Sequence, residues 1–169
     1  VDRDELMRIS AHQQSRGPDG AGSWLDARGR IGLAHQRLSI IDPDPRAAQP
    51  MASADAAAVI SFNGEIYNFR DLRGALQRDG QKWRTQSDTE VLVELYRREG
   101  ELMLQRLRGM FALAIWDVRR GALLLARDPY GIKPLYYADD GWTVRVASQV
   151  KALLASGHVS KLPEPAGQV

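Results

Sequence analysis

The sequence predicts an α+β fold in which helices cover antiparallel sheets, and three features of the chain support this prediction. Short apolar stretches that resemble strands recur along it, and amphipathic stretches with helical spacing bracket them. The links at residues 119–121 and 139–141 are short and contain glycine, which is typical of hairpins. Because strands joined by short links run antiparallel, the sheets are predicted to be antiparallel. With 169 residues, the chain is about one domain long.

The first helix is predicted at residues 4–14, where Leu6, Met7 and Ile9 would form its apolar face. Residues 16–20 read Arg-Gly-Pro-Asp-Gly and predict a loop, since proline and glycine interrupt helices. The chain therefore enters its first strand through a loop that is rich in turn residues.

Two strands are predicted next, at residues 30–41 and 57–62, from their apolar and β-branched composition. Prolines at positions 43 and 45 stop the first strand, because proline removes a donor from the hydrogen-bond ladder. The dipeptide Asn63-Gly64 predicts a tight turn at the end of the second strand.

Two helices follow in the prediction. Residues 69–76 carry apolar side chains at helical spacing, and Gly80 is a plausible stop. Residues 87–90 read Ser-Asp-Thr-Glu, the form of a capping box at a helix start, and Gly100 ends that helix.

The remaining part of the chain is predicted to contain a strand meander and one helix. Four apolar stretches predict strands at residues 111–118, 122–126, 135–138 and 142–147. Ser148 is predicted to cap a last helix that ends at Leu154.

Composition excludes several classes of protein. The chain has no cysteine, which excludes disulfides, thiolate metal sites and a cysteine nucleophile within these residues. Its 3 histidines are scattered, so no metal site is expected. The net charge of +2 comes from interspersed acids and bases, which gives no sign of nucleic-acid binding. No apolar run is long enough for a membrane span and the start does not resemble a signal peptide, so a cytoplasmic protein is expected.

Five motifs occur in an order that resembles one known family. They are Arg-Gly-Pro-Asp-Gly at 16–20, Arg-Leu-Ser-Ile-Ile-Asp at 37–42, Asn-Gly-Glu-Ile-Tyr-Asn at 63–68, Ser-Asp-Thr-Glu at 87–90, and Arg-Asp-Pro-Tyr-Gly-Ile-Lys-Pro-Leu-Tyr at 127–136. In this order they resemble the glutaminase domain of asparagine synthetases, a class II (N-terminal nucleophile) glutamine amidotransferase. Each motif alone is weak, but five in order make coincidence very improbable.

The resemblance implies a fold and a reaction. The fold is an N-terminal-nucleophile hydrolase-like αββα sandwich of two antiparallel sheets in four layers, here with its first strand apparently missing. The reaction is hydrolysis of the glutamine side-chain amide to glutamate and ammonia. The amidotransferase domain is expected at residues 1–157, and residues 158–169 are expected to be a linker or an edge toward a C-terminal synthetase domain.

The resemblance also assigns roles to residues that would bind the two charged groups of glutamine. Arg37 can donate two parallel hydrogen bonds to the α-carboxylate, although a structural ion pair is the alternative. Asp88 would pair with the α-ammonium, although acids also favour helix starts for dipole reasons. Main-chain groups of Ile40 and Ile41 would line the pocket while their side chains enter the core.

The amide group of glutamine would be bound by the Asn-Gly-Glu motif. The Asn63 side chain and the Gly64 main-chain N–H would form an oxyanion hole, and the alternative is a plain Asn-Gly turn. Glu65 either positions glutamine or makes a structural bond. The loop at residues 16–20 either closes over glutamine or is only structural. His35 shares a strand face with Arg37 and is expected to be structural.

The family's nucleophile is a cysteine at the first position of the mature chain, and its own α-amino group is the base. Since this chain has no cysteine, it is expected to be inactive as it stands. A fragment without its leading strand is favoured over a pseudo-glutaminase that lost its cysteine, as in β-lactam-synthetase-like relatives. A glutamine-binding module and a purely structural domain are the further alternatives.

Cofactors and partners are expected to lie outside this domain. No glycine-rich phosphate loop is present, so ATP and magnesium would belong to the synthetase domain of the same polypeptide, which would activate aspartate or another carboxylate. Glutamine is the expected ligand. Members of the family often form dimers, so a homodimer is also expected.

Overall fold

The computed structural model describes residues 1–162, in which groups of strands lie between helices along the chain. The helices are α1 (Arg3–Ala11), α2 (Phe69–Arg78), α3 (Asp88–Glu99) and α4 (Val150–Leu154). The strands are β1 (Gly20–Leu25), β2 (Gly32–Arg37), β3 (Met51–Ala52), β4 (Ala58–Ile66), β5 (Gly109–Asp117), β6 (Ala122–Arg127), β7 (Tyr136–Asp139) and β8 (Val144–Ala147). Three short 3₁₀ turns lie at Gln14–Arg16, Pro45–Ala47 and Gly100–Arg106. The linker expected at residues 158–169 lies partly outside the described residues.

A four-stranded antiparallel sheet in the order β3-β4-β5-β6 forms the centre of the fold. Its β4 alternates between two environments, as strand geometry requires. Ile60 and Phe62 enter a large apolar core with helices α2 and α3. Val59 points the other way and packs with Leu33 of β2 and Trp116 of β5. The sheet is therefore covered on both faces.

Helix α3 is the most deeply buried helix among those of residues 1–162. Val91, Leu92 and Leu95 have no exposed surface, and each fully buried side chain of this size stabilises the fold by about 1.5–3 kcal/mol. Ser87 caps the helix, because its side chain accepts a hydrogen bond from the Thr89 N–H at 3.1 Å. Gly100 ends the helix with a φ of 60°, a backbone conformation that is disfavoured for residues with a side chain.

The layer on the other face of the central sheet consists of two separate antiparallel ribbons, β1-β2 and β7-β8. Helices α1 and α4 pack on these ribbons and on each other. The order of layers is thus helices, sheet, ribbons, helices. This confirms the predicted α+β class and its antiparallel αββα arrangement.

The predicted tight turn at Asn63-Gly64 is wrong, because β4 continues through both residues to Ile66. Asn63 and Gly64 pair with Ala112 and Phe111 of β5. Glycine is needed here for a different reason, since a Cβ at position 64 would lie 2.2 Å from the Met110 carbonyl oxygen. Asn-Gly favours turns by its local propensity, but in this structure the dipeptide lies within β4, where the glycine allows close contact with β5.

Several other local predictions need correction. Strands β1 and β3 were not predicted, and the strand predicted at residues 30–41 ends at Arg37. Met7 is 42% exposed, whereas Ile9 is buried as predicted, together with the polar Glu5 and Ser10.

Two predicted helix caps also differ. Ser148 does not cap α4, since its hydroxyl bonds to the side chain of Gln13. Glu90 does not complete a capping box, because its carboxylate accepts from the main chain of Arg84 and Thr85. Ser148 thus bonds to a residue far away in the sequence, and Glu90 bonds to the segment just before its helix.

No helix within residues 1–162 combines the length and apolar character needed to cross a membrane.

Replacing Gly64 by alanine should destabilise the fold by about 1–3 kcal/mol, because the new methyl group forces β4 away from β5. The matched control is Gly74→Ala in helix α2, where a Cβ meets its nearest atom at 3.8 Å. That change should stabilise the protein by about 0.5–1 kcal/mol, since alanine favours helices. Urea denaturation of both variants gives the comparison. Equal stabilities for the two variants would show that β4 and β5 do not need the glycine.

Candidate functional site

A cavity of about 1020 Å³ lies between the central sheet, the two ribbons and helix α1. Six of the seven residues that the motifs single out line it: Arg37, Ile40, Ile41, Asn63, Gly64 and Asp88. Glu65 is not among the lining residues and is exposed. The structure therefore brings together side chains from β2, β4 and the start of α3.

The edges of two strands open into this cavity. All residues of β2 and β8 line it, whereas no residue of their ribbon partners β1 and β7 does. The opposite wall is the inner face of the central sheet, which includes Ala114, Leu123 and Leu125. Within residues 1–162 these two strand edges have no partner strand, and a cavity bounded by such edges and an apolar wall matches an extended peptide segment.

Helix α1 shows that β2 and β8 run in the same direction. Near its start, Leu6 packs on Gly32 at the beginning of β2, and Glu5 forms an ion pair with Arg145 of β8 at 2.5 Å. Near its end, Ser10 accepts from Gln36 at the end of β2 at 3.0 Å. Gln13, just beyond the helix, bonds to Ser148, which follows β8. One strand between them would therefore have the same relation to both, either parallel or antiparallel.

Arg37 ends β2 and holds the loop that follows it. Its guanidinium donates to the main-chain oxygen of Asp44 at 3.1 Å and to that of Asp42. A guanidinium has five N–H donors in a fork, so donors remain for a carboxylate in the cavity. The structural ion pair considered from the sequence is not what holds Arg37, because its partners are carbonyl groups.

Two carboxylates attach the same loop to other parts of the site. Asp19, in the Arg-Gly-Pro-Asp-Gly loop, accepts from the Ser39 N–H at 2.8 Å. Asp42 accepts from the Gln86 N–H at 2.6 Å, just before α3. These bonds join the Arg37 loop to the loop before β1 and to the start of α3. No motif predicts these roles of Asp19 and Asp42, although aspartates beside proline and glycine commonly bind nearby main-chain N–H groups.

Asp88 is the first residue of α3 and is only 4% exposed. Its Oδ2 accepts from the Ile66 N–H at the end of β4, at 3.2 Å. Burial raises the pKa of the Asp88 carboxyl to about 6, and the nearby Glu65 adds to the increase, while main-chain donors partly oppose it. Asp88 has no ion-pair partner within residues 1–162, and a positively charged ligand group would strongly stabilise the ionised form of such a buried carboxyl.

Asn63 and Gly64 lie in the second half of β4, and both line the cavity. The exposed Asn63 follows Ser61 on the same strand face, and the Ser61 hydroxyl donates to the Ala34 carbonyl of β2 at 3.2 Å. This bond fixes β4 against β2, so that Asn63 lies near the end of β2 that carries Arg37.

Ile40 does not enter the core as predicted from the sequence, because its side chain is 75% exposed. Ile41 is partly buried. Both belong to the loop that Arg37 folds back with its carbonyl contacts, and this loop forms the rim of the cavity rather than an extension of β2.

His35 lies between Leu33 and Arg37 on the face of β2 that meets β4. Burial lowers the pKa of its imidazole to about 4, and the positive charge of Arg37 contributes. His35 is therefore neutral near pH 7. Its Nδ1 lies 3.5 Å from the Ser61 hydroxyl, which places it in the contact between the two layers.

No group of three or more potential ligands within residues 1–162 is arranged to hold a metal ion.

Comparison with known proteins gives one consistent family. The family model described as a glutamine amidotransferase domain matches residues 1–167. The glutamine-hydrolyzing asparagine synthetase 1 of Bacillus subtilis strain 168 is 40% identical over 169 residues, covering 99% of this chain and 26% of that protein. The corresponding enzyme of Sandersonia aurantiaca is 39% identical over 155 residues, covering 89% of this chain and 28% of the relative. The chain thus spans about a quarter of their length.

Solved structures show the same fold. Glutamine phosphoribosylpyrophosphate amidotransferase from B. subtilis, solved with ADP and GMP, aligns with a TM-score of 0.74 at 24% identity. A structure described as the allosteric regulatory enzyme of purine biosynthesis aligns with a TM-score of 0.77, also at 24% identity. Each alignment covers 90% of this chain and 41% of the other. These matches agree with the predicted N-terminal-nucleophile hydrolase-like fold.

The Asp88 carboxyl should titrate near pH 6 in the folded protein, about two units above its ordinary value, as measured by carboxyl ¹³C NMR. Because the folded state holds the proton more tightly, this group favours folding fully below about pH 4 and loses that contribution as pH rises toward 6. Relative to Asp88→Asn, the wild-type protein should therefore lose on the order of 2 kcal/mol of unfolding free energy between pH 4 and pH 7. A titration midpoint near 4 would contradict this.

Proposed function

Because this chain belongs to the family of glutamine amidotransferase domains, we propose that residues 1–157 form the glutaminase domain of an asparagine-synthetase-like amidotransferase. The observation that supports this most strongly is the shared cavity of Arg37, Asn63, Gly64 and Asp88. Free glutamine carries an anionic, a cationic and a neutral polar group. The cavity offers one group that suits each of them.

In the proposed complex, the α-carboxylate of glutamine accepts two hydrogen bonds from the Arg37 guanidinium. The α-ammonium pairs with Asp88, which is buried and whose hydrogen bonds come from main-chain N–H groups. Main-chain groups of Ile40 and Ile41 line the substrate from the loop that Arg37 holds. Glu65 acts indirectly, since its charge influences Asp88 from outside the cavity.

The side-chain amide of glutamine would then lie at Asn63 and Gly64. When a nucleophile attacks the amide carbon, negative charge develops on the amide oxygen. The Asn63 side-chain N–H and the Gly64 main-chain N–H would donate to that oxygen, and removal of one such donor typically slows catalysis about 100- to 1000-fold.

The nucleophile we propose is a cysteine that begins an extended segment lying between β2 and β8. Such a segment, antiparallel to both strands, starts where they end, which is beside Arg37. The cysteine's α-amino group accepts the thiol proton and passes it to the leaving amide nitrogen. Ammonia departs, and water cleaves the thioester to release glutamate. The 169 residues contain no cysteine, so this polypeptide alone would not hydrolyse glutamine.

Ammonia would be used by a second domain of the same polypeptide, since the relatives are about four times longer than this chain. We propose that a C-terminal synthetase domain binds ATP and magnesium and activates an acceptor carboxylate, and that residues 158–169 lead toward it. The acceptor is aspartate or another carboxylate.

The second candidate function is a glutamine-binding domain without catalysis, as in a pseudo-glutaminase. The lack of cysteine in these residues favours it. The two functions share the same ligand contacts and differ only in the nucleophile.

Extending the chain with an apolar segment that begins with cysteine should produce glutaminase activity. The 169-residue chain alone should release no ammonia from glutamine above a buffer control, since it has no thiol. An extension that begins with serine is the matched control and should be inactive or nearly so. Ammonia release from the clean 169-residue chain, or equal rates from both extensions, would contradict the proposed nucleophile.

Glutamine binding, measured by calorimetry, should depend on Arg37 and Asp88. Arg37→Ala or Asp88→Asn should weaken affinity by about 2–5 kcal/mol, because each leaves a charged substrate group unpaired. Arg119→Ala is the matched control, since Arg119 lies in an exposed ion pair with Asp55. If all three variants bind glutamine as the wild type does, the cavity is not its site.

A further inference from the structure

Gln49 bonds to the main chain of β4 through both ends of its side-chain amide. It lies just before β3 and lines the cavity. Its Oε1 accepts from the Phe62 N–H at 2.6 Å, and its Nε2 donates to the Phe62 carbonyl at 3.2 Å. One side-chain amide thus satisfies both main-chain groups of a β4 residue, as a neighbouring strand would.

The same amide nitrogen also reaches helix α3. Nε2 of Gln49 donates to the hydroxyl of Thr89 at 3.3 Å, and Thr89 is only 2% exposed. Phe62 immediately precedes Asn63, and Thr89 immediately follows Asp88. Gln49 is therefore bonded one residue away from each of the two groups that would hold opposite ends of the substrate.

The Gln49 side chain thus forms a bridge between β4 and α3. Strand β3 cannot replace this bridge, because β3 pairs with β4 only at Val59 and Ile60. The main chain of Gln49 is itself held closely by β1. A Cβ at Gly22 would lie 2.1 Å from the Gln49 carbonyl oxygen, so only glycine allows this approach. Contact with β1 thus sets the position of the Gln49 main chain, and bonds to β4 and α3 set the position of its side chain.

We propose that Gln49 is a positioning residue that fixes the spacing between β4 and α3 and thereby selects glutamine by the length of its side chain. This inference rests on the proposed function. The amide oxygen would lie at Asn63 and Gly64 and the α-ammonium at Asp88. The β4–α3 spacing must then match the number of methylene groups between them. Asparagine, which is one methylene shorter, would reach only one of the two ends.

The test compares affinities for glutamine and asparagine in the wild type and in Gln49→Leu, by calorimetry. Leucine fills a similar volume but cannot bond to Phe62 or Thr89. Affinity for glutamine should fall roughly tenfold, while the weak binding of asparagine changes little, so the preference for glutamine collapses. An unchanged glutamine-to-asparagine ratio would overturn the proposal.

Thr89→Val separates the two halves of the bridge, because it removes only the bond to α3. It should weaken glutamine binding about threefold, and it should add little to Gln49→Leu, since both variants break the same link. Thr89→Val also tests the proposal on its own if Gln49→Leu fails to fold. Wild-type affinity and preference in Thr89→Val would then overturn the proposal.

Gln81→Leu is the matched control for a purely structural effect. Gln81 is also a buried glutamine, bonded to the Lys82 carbonyl and to Arg97, and it does not line the cavity. This variant should lose stability yet keep the wild-type preference for glutamine. If Gln49→Leu behaves like Gln81→Leu in both respects, Gln49 is only structural.

A measurement without ligand distinguishes a failure of this inference from a failure of the proposed function. In Gln49→Leu, amide NMR signals should move in both Phe62–Gly64 and Asp88–Thr89, and the Phe62 N–H should exchange faster with solvent. A wild type that binds no glutamine would count against the proposed function. Signals in α3 that stay unchanged in Gln49→Leu would overturn the bridge itself.

Discussion

Continuous pairing between β4 and β5 is the constraint on which the rest of the site depends. All nine residues of β4 have partners in β5, and the pairing passes through Asn63 and Gly64 without a turn. It is possible only because Gly64 has no side chain to meet the Met110 carbonyl. Held straight in this way, β4 offers main-chain groups to Gln49 and Asp88 from one side and bonds to β2 through Ser61 from the other.

The loops around the cavity are held by single side chains that bond to main-chain groups. Arg37 binds two carbonyls of its own loop, and Asp19 and Asp42 each accept a main-chain N–H from another segment. Such bonds orient a loop without filling the space beside it. The cavity can therefore stay open between walls that hydrogen bonds hold in place, which is what a small polar substrate requires.

The resemblance of the ordered motifs singled out six residues that line one cavity. The sequence allowed the fold class and most elements to be predicted, because periodic patterns are local. It failed where the decisive contact was remote. The strand through Asn63-Gly64 depends on β5, some fifty residues away, and overrides a strong local turn signal. The bond of Ser148 to the distant Gln13 likewise overrides a local capping pattern. The bond of Glu90 to Thr85 is local, and it replaces the bond that would complete a capping box. Gln49 carries no motif of its own, and only its contacts show what it does.

The central claim is that Arg37, Asn63 and Asp88 bind one glutamine molecule together, and ¹⁵N NMR during a glutamine titration tests it most directly. We predict that signals of four groups all shift along one binding curve: the Arg37 side-chain N–H, the Asn63 side-chain amide, the Gly64 amide and the Asp88 amide. Signals of Arg119, remote from the cavity, should stay fixed. If glutamine leaves these site signals unmoved, or moves them with different affinities, the three residues do not form one site.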